Sequence, residues 1–288
     1  MINIIEAMRL LKDYNIISFL IFAWLILSCH CYADAPLRVA VSILPQKYFV
    51  EKIGGERVDV VAMIPAGASP VTFEPKASKL RSLKGCKIYF SIGVPFEKAW
   101  INKFLKISRD MEIVRTYEGI ERRIRGRSDP HIWLSPPLVF QQTRNILRAL
   151  IDKDPLNTSF YIKNYREFIE EIGSLDSQLL EIFKGIGKRN HFVVYHPAWT
   201  HFARAYNLEQ IPIEREGKEP SLSQLRQVFK LLRWLNIDTI FYQIQFPSRT
   251  INILAKELVC KAIPLDPLAY GWKEELLRSA KLIKTALR

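Results

Sequence analysis

Three residues of this chain combine metal-ligand chemistry with a stiff backbone: His131, His196 and Asp266. Each adjoins a proline, in Asp129-Pro130-His131, His196-Pro197 and Asp266-Pro267. Proline fixes its own φ and pushes the residue before it toward extended backbone. Beyond His131 the chain reads Ile132-Trp133-Leu134-Ser135-Pro136. Ser135 and Pro136 there fit the N-cap and first residue of a helix. Alone, His131 fits a turn histidine with one hydrogen bond and no other role. Together, two imidazoles and a carboxylate suit Zn²⁺, with Mn²⁺ or Fe²⁺ as alternatives.

The elements that must hold these side chains follow from the apolar pattern. Leu37–Ser42, Val58–Met63, Lys87–Ile92 and Glu112–Val114 read as strands, with helices over Pro45–Ile53, Lys76–Leu83 and Phe96–Ile107. Thr116–Ser128 reads as a polar, basic loop, and Pro136–Lys153 as a helix. Such alternation predicts a mostly parallel sheet covered by helices. A helix then opens at Asp154-Pro155. Its apolar residues recur at Tyr161, Tyr165, Phe168, Ile172, Leu175, Leu179, Ile182 and Ile186. Steps of three and four make one helical stripe to Gly185 and Gly187; the alternative is two helices broken at Gly173. The continuous reading is a spine joining two lobes.

Alternation resumes in the second lobe. Strands are expected at His191–Tyr195, Glu209–Ile213, Thr239–Tyr242 and Lys261–Leu265. Helices are expected at Ala198–Tyr206, Ser221–Leu235, Ser248–Val259 and Lys273–Leu287. Ligands bind outside the carboxyl ends of strands in such sheets. His196 and Asp266 lie at the carboxyl ends of strands, whereas His191 lies at the amino end of one. His201, five residues past His196 on the expected helix, turns to another face and reads as surface. Ligands from both lobes place a metal in the cleft between them. The expected fold class is α/β, two lobes joined by one long rigid helix, with boundaries 34–153, 154–187 and 188–288.

The chain has 288 residues and carries 42 Lys and Arg against 29 Asp and Glu, a formal net charge of +13. The basic residues are spread out, with one cluster at Arg122-Arg123-Ile124-Arg125-Gly126-Arg127 and no nucleic-acid motif. That balance reads as a solvated basic surface near an anionic membrane. Residues 1–33 read as a signal peptide: Arg9 and Lys12 precede the apolar run Ile16–Leu27, and Cys31-Tyr32-Ala33 offers a cleavage site. Ile26-Leu27-Ser28-Cys29 offers a second option, a lipoprotein modified at Cys29, and a retained anchor is the third. All three put the body in the periplasm or at the outer face of the cytoplasmic membrane. Of the cysteines beyond this region, Cys86 and Cys260 read as small apolar residues rather than a bridge.

The motifs together resemble a known family. Phe73-Glu74-Pro75, Asp129-Pro130-His131-Ile132-Trp133-Leu134-Ser135-Pro136, Tyr195-His196-Pro197-Ala198-Trp199, Gly217-Lys218-Glu219-Pro220-Ser221 and Leu265-Asp266-Pro267-Leu268 occur in this order. The mature chain is similar to solute-binding proteins of bacterial zinc and manganese ABC importers, the ZnuA/TroA-like family. The resemblance implies two α/β lobes joined by a long helix and a non-enzymatic role. It implies capture of a transition metal, zinc favoured, for a membrane permease of an ABC importer. The chain is expected as a monomer without a nucleic-acid partner. His131, His196 and Asp266 fall on three of four metal-ligand positions of that family. Val71 stands where the fourth, a histidine, is expected, so water or Glu74 must complete the site. The basic loop Thr116–Ser128 stands where zinc-type members often carry a His-rich acidic loop.

Two other readings keep the same residues. One is the same scaffold with a degenerate metal site, binding another ligand or a protein partner. The other is a hydrolytic zinc site with Glu74 as general base. Intact-mass analysis of protein from a secreting host should find Asp34 at the mature N-terminus. A lipid on Cys29 would select the second option, and an intact Met1 would overturn cleavage.

Overall fold

The short apolar runs pair into two separate parallel sheets. In the first, β1 (Leu37–Val41), β2 (Val58–Ala62), β3 (Ile88–Ser91) and β4 (Glu112–Arg115) lie in the order β2-β1-β3-β4. In the second, β7 (His191–Val194), β8 (Glu209–Pro212), β9 (Thr239–Gln243) and β10 (Lys261–Leu265) lie in the order β10-β9-β7-β8. Counted along the chain, both sheets have their strands in the order 2-1-3-4. The first strand of each is therefore flanked on both sides, by β2 and β3 for β1 and by β8 and β9 for β7. At such a switch point the connections leave in opposite directions and a crevice opens at the strands' carboxyl ends. The computed structural model describes residues 35–124, 126–187, 190–214, 221–246 and 248–287. The expected leader with both of its processing sites, Arg125, and residues 217–220 of the Gly-Lys-Glu-Pro motif lie outside the described residues.

Helices α1 (Leu44–Gly54), α2 (Ala77–Arg81), α3 (Pro95–Ile107) and α4 (Pro136–Lys153) belong to the first half. The long helix α5 (Thr158–Phe183) follows, then α6 (Thr200–Ala205), α7 (Leu222–Leu235), α8 (Ser248–Leu258) and α9 (Trp272–Ala286). α5 runs unbroken through Gly173 for 26 residues, about 39 Å at 1.5 Å per residue. It is shorter than expected at both ends. A 3₁₀ turn over Pro155–Asn157 precedes it, and the Asp154 carboxylate takes the Asn157 amide and the Tyr161 hydroxyl instead of capping backbone. After Phe183 the chain leaves through Gly185 and Gly187, both with positive φ. The stretch expected as the loop Thr116–Ser128 contains a small antiparallel hairpin, β5 (Arg123–Ile124) with β6 (Arg127–Ser128). Nor is its basic cluster wholly solvated: the Arg122 guanidinium stacks 3.7 Å from the Tyr117 ring centre and reaches the Ile92 carbonyl.

α5 buries Tyr161, Phe168, Ile172, Leu175, Leu179 and Phe183 against α1, α4 and α9. One continuous core runs from Val39 and Phe90 of the first sheet, through this stripe, to Phe192, Phe241 and Leu265 of the second. The opposite face of the second sheet has its own smaller core around Val193, Ile213, Leu232 and Ile240. The spine is thus an internal layer of the core rather than a bare rod. Cys86 is buried, Cys260 is half-buried, and both are free thiols. Among the described residues no helix is long and apolar enough to cross a membrane.

Polar bonds also tie the halves. Trp133 Nε1 donates to the Pro267 carbonyl at 2.7 Å, and Trp272 Nε1 donates to the Trp133 carbonyl at 2.7 Å. Both indoles are buried. Trp272 also sits edge-on to Phe49, 5.0 Å between centres. Near the surface, the Tyr270 hydroxyl donates to Glu51 at 2.8 Å. Trp272→Phe keeps the aromatic packing but leaves the Trp133 carbonyl without its donor. A buried orphan acceptor costs about 1–3 kcal/mol, so urea denaturation should show a loss of that size. The shared core also predicts little lobe motion: scattering profiles with and without zinc should nearly superimpose, and a large compaction on loading would contradict this.

Candidate metal centre

His131 owes its position to its neighbours in sequence. Asp129 Oδ1 accepts the His131 backbone N–H at 2.9 Å and lies 2.7 Å from His131 Nδ1. An aspartate folding back on the second residue along is a common turn device, here stiffened by Pro130. Burial raises the Asp129 carboxyl pKa. The charge and two hydrogen bonds of His131, with a smaller contribution from His201, overcome that and bring it down to about 2. A 3₁₀ turn, Ile132–Leu134, fills the gap before α4, and Ser135 precedes α4 without a side-chain cap. Pro136 does open α4 as expected.

His196 follows β7 at the second sheet's switch point. Its Nδ1 lies 3.1 Å from Glu214 Oε2, and Phe246 packs against its ring at 5.6 Å. Glu214 is only 3% exposed, and its other oxygen, Oε1, has no hydrogen-bond partner among the described residues. A buried carboxylate with one free oxygen and one imidazole fixes that imidazole's orientation. Both histidines therefore turn Nδ1 toward a carboxylate, and neither Nε2 has a partner among the described residues. This carboxylate–imidazole pairing is the arrangement that sets the tautomer and basicity of metal-binding histidines. The two rings stand 5.4 Å apart between centres at 76°. Two imidazoles on one tetrahedral zinc, at Zn–N of about 2.0–2.1 Å, have ring centres roughly 5 Å apart.

The remaining expected residues are less converged. Asp266 is half-buried after β10; its Oδ1 accepts from Gln245 Nε2 at 2.7 Å and Leu268 N at 3.1 Å. Pro267 and Leu268, rather than Asp266 itself, line the cleft beside the histidines. Glu74 is exposed and not part of that lining. Phe73 packs on Phe96 at 5.9 Å and Pro75 is buried, so the residue between them is left on the outside. Val71 does line the cleft and is 58% exposed. Among the described residues no three His, Cys, Asp or Glu side chains stand close enough to hold a metal together. The histidine pair is therefore the assembled part of the centre.

His201 departs from expectation. It is 4% exposed, and its Nε2 lies 3.1 Å from the Asp129 carbonyl. A carbonyl only accepts, so Nε2 carries the proton in this bond. The surface reading applied helical spacing from His196, but His196 lies outside α6, and the face turned away from it packs on the Asp129 turn rather than facing solvent. His191 pairs with Glu209 at 3.4 Å, away from the pair.

Glu214 and Glu97 went unnoticed in the sequence. The signal available for Glu214 was its place directly after a strand expected to end at Ile213. Glu97, buried on α3, fills the first sheet's switch point. It accepts from Ser91 Oγ, Ile92 N and Gly93 N at 2.8 Å each and from Ser42 Oγ. Burial raises its pKa and these bonds oppose the rise. The first crevice is thus plugged by protein, while the second presents His196 to the cleft.

Comparison with known proteins gives the family. The family model "Zinc-uptake complex component A periplasmic" matches residues 39–278. The high-affinity zinc uptake system protein ZnuA of Bacillus subtilis (strain 168) is 26% identical over 83% of this chain and 81% of its own. The manganese ABC transporter substrate-binding lipoprotein PsaA of Streptococcus anginosus is 24% identical over 72% of each. A crystal structure of ZnuA superposes with a TM-score of 0.84 at 37% identity, covering 88% of this chain and all of that one. These relatives are metal-transport solute-binding proteins rather than enzymes. The chain, with its two parallel sheets and long connecting helix, belongs to the ZnuA family of metal-binding solute-binding proteins.

Proposed function

We propose that the protein captures Zn²⁺ through His131 and His196, with Asp266 as third ligand and water in the fourth place, and delivers it to an ABC permease. It does so as a monomer outside the cytoplasmic membrane, once its leader is removed or Cys29 is lipidated. The observation that carries this reading is the histidine pair, 5.4 Å apart, each Nδ1 engaged by a carboxylate. Imidazole suits zinc better than manganese, which prefers oxygen ligands. Asp266 would have to release Gln245 and the Leu268 N–H and turn toward the pair. The exposed Val71 favours one alternative, a degenerate site on the same scaffold; elemental analysis of purified protein separates the two.

Calorimetric titration tests the ligand set. His196→Ala or Asp266→Ala should abolish measurable Zn²⁺ binding, and Glu74→Gln should leave it unchanged. Val71→His should tighten it by about tenfold, roughly 1.4 kcal/mol, by replacing an exchangeable water. Equal zinc affinity in wild type and His196→Ala would overturn the reading.

Glu214 gives a second test. Glu214→Ala removes the carboxylate that orients His196 without touching the metal. Losses of about 10–100-fold in affinity are typical for such partners. Unchanged affinity would mean that His196 needs no orienting group.

A further inference from the structure

The cleft around the histidine pair is far larger than a bare ion needs. Its volume is about 1310 Å³, against roughly 30 Å³ for one water and roughly 300–1,000 Å³ for typical small-molecule sites. At the expected fourth ligand position it presents Val71, an apolar side chain 58% exposed. Among the described residues its carboxylates each face a histidine, Asp129 His131, Glu214 His196 through Oε2, and Glu209 His191. Arg123 of β5 and Arg204 of α6 line the same cleft, and neither guanidinium has an ion pair among the described residues.

We propose that this cleft takes zinc as a small anionic polycarboxylate chelate, with His131 and His196 on the metal and Arg123 and Arg204 on the chelator's carboxylates. The proposal rests on the zinc-capture reading above. A metal held by a tri- or tetradentate carboxylate chelator keeps coordination places occupied by water. Two imidazole Nε2 atoms replace two of those waters, which leave for solvent, and no other bond changes. The chelator supplies the ligand that Val71 cannot, and its surplus negative charge meets the guanidinium forks, whose planar donors match carboxylates. The exposed wall at Val71 then accommodates the chelator's carbon skeleton.

Equilibrium dialysis of the full chain against radiolabelled nitrilotriacetate, with and without Zn²⁺, tests this, with bare Zn²⁺ titrated in parallel. Retention of one nitrilotriacetate per protein, only when zinc is present, is the expected result. The double variant Arg123→Ala/Arg204→Ala should lower that retention by about tenfold more than it lowers affinity for bare zinc, because charge-assisted bonds to carboxylate are lost. Val71→His should move the two readouts apart, raising affinity for bare zinc and lowering nitrilotriacetate retention. Zinc retained with nitrilotriacetate left free would overturn the proposal and leave zinc capture standing. Failure to bind either bare zinc or the chelate would overturn both.

Discussion

Two indole N–H bonds join this molecule where it must not yield. Trp133, two residues past His131, donates to the carbonyl of Pro267, the residue after Asp266. Trp272 returns a bond to the Trp133 carbonyl. Two loops that are distant in sequence, each bearing a candidate ligand, thus share one buried polar link. In an apolar interior such bonds have no water to replace them, so the link is either made or costly. His201 adds a third tie from α6 to Asp129. Lobe separation would have to break these contacts together with the core around α5.

The same economy governs the histidines. An imidazole free to rotate offers either nitrogen to a metal; one whose Nδ1 is engaged offers only Nε2. Asp129 supplies that constraint locally, through a three-residue turn, while Glu214 supplies it from the next strand's end. Asp129 is ionised throughout the neutral range, since its pKa is brought down to about 2. The first sheet shows what the equivalent crevice becomes without such a role, a position closed by Glu97 and its donors.

On the zinc reading proposed above, the cleft would join a tightly tied frame to an incompletely filled coordination sphere. A frame that does not close cannot bring a missing ligand to the metal. On that reading the place of Val71 would be met by solvent or by the cargo itself. On that reading one site would join the apolar wall, the two arginines without an ion pair among the described residues, and the histidine pair.

Sequence alone determined the elements and named the candidate ligands. Apolar periodicity is local, so the strands, the unbroken helix through Gly173 and the placement of His196 and Asp266 after strands were legible. His-Pro, Asp-Pro and Pro-His adjacency marked the stiff turns for the same reason. Which side chains meet was decided only in three dimensions. His201 reads as surface from the sequence because spacing says which face a side chain leaves, not what packs on the face it joins, here the Asp129 carbonyl. Glu214 and Glu97 were silent because a buried carboxylate looks like any other until its donors are known. Glu74 was set outside by Phe73 packing on Phe96, a contact between residues 23 apart. The link from Trp133 to Pro267 spans 134 residues, and no local pattern encodes a hydrogen bond between groups that only folding brings together.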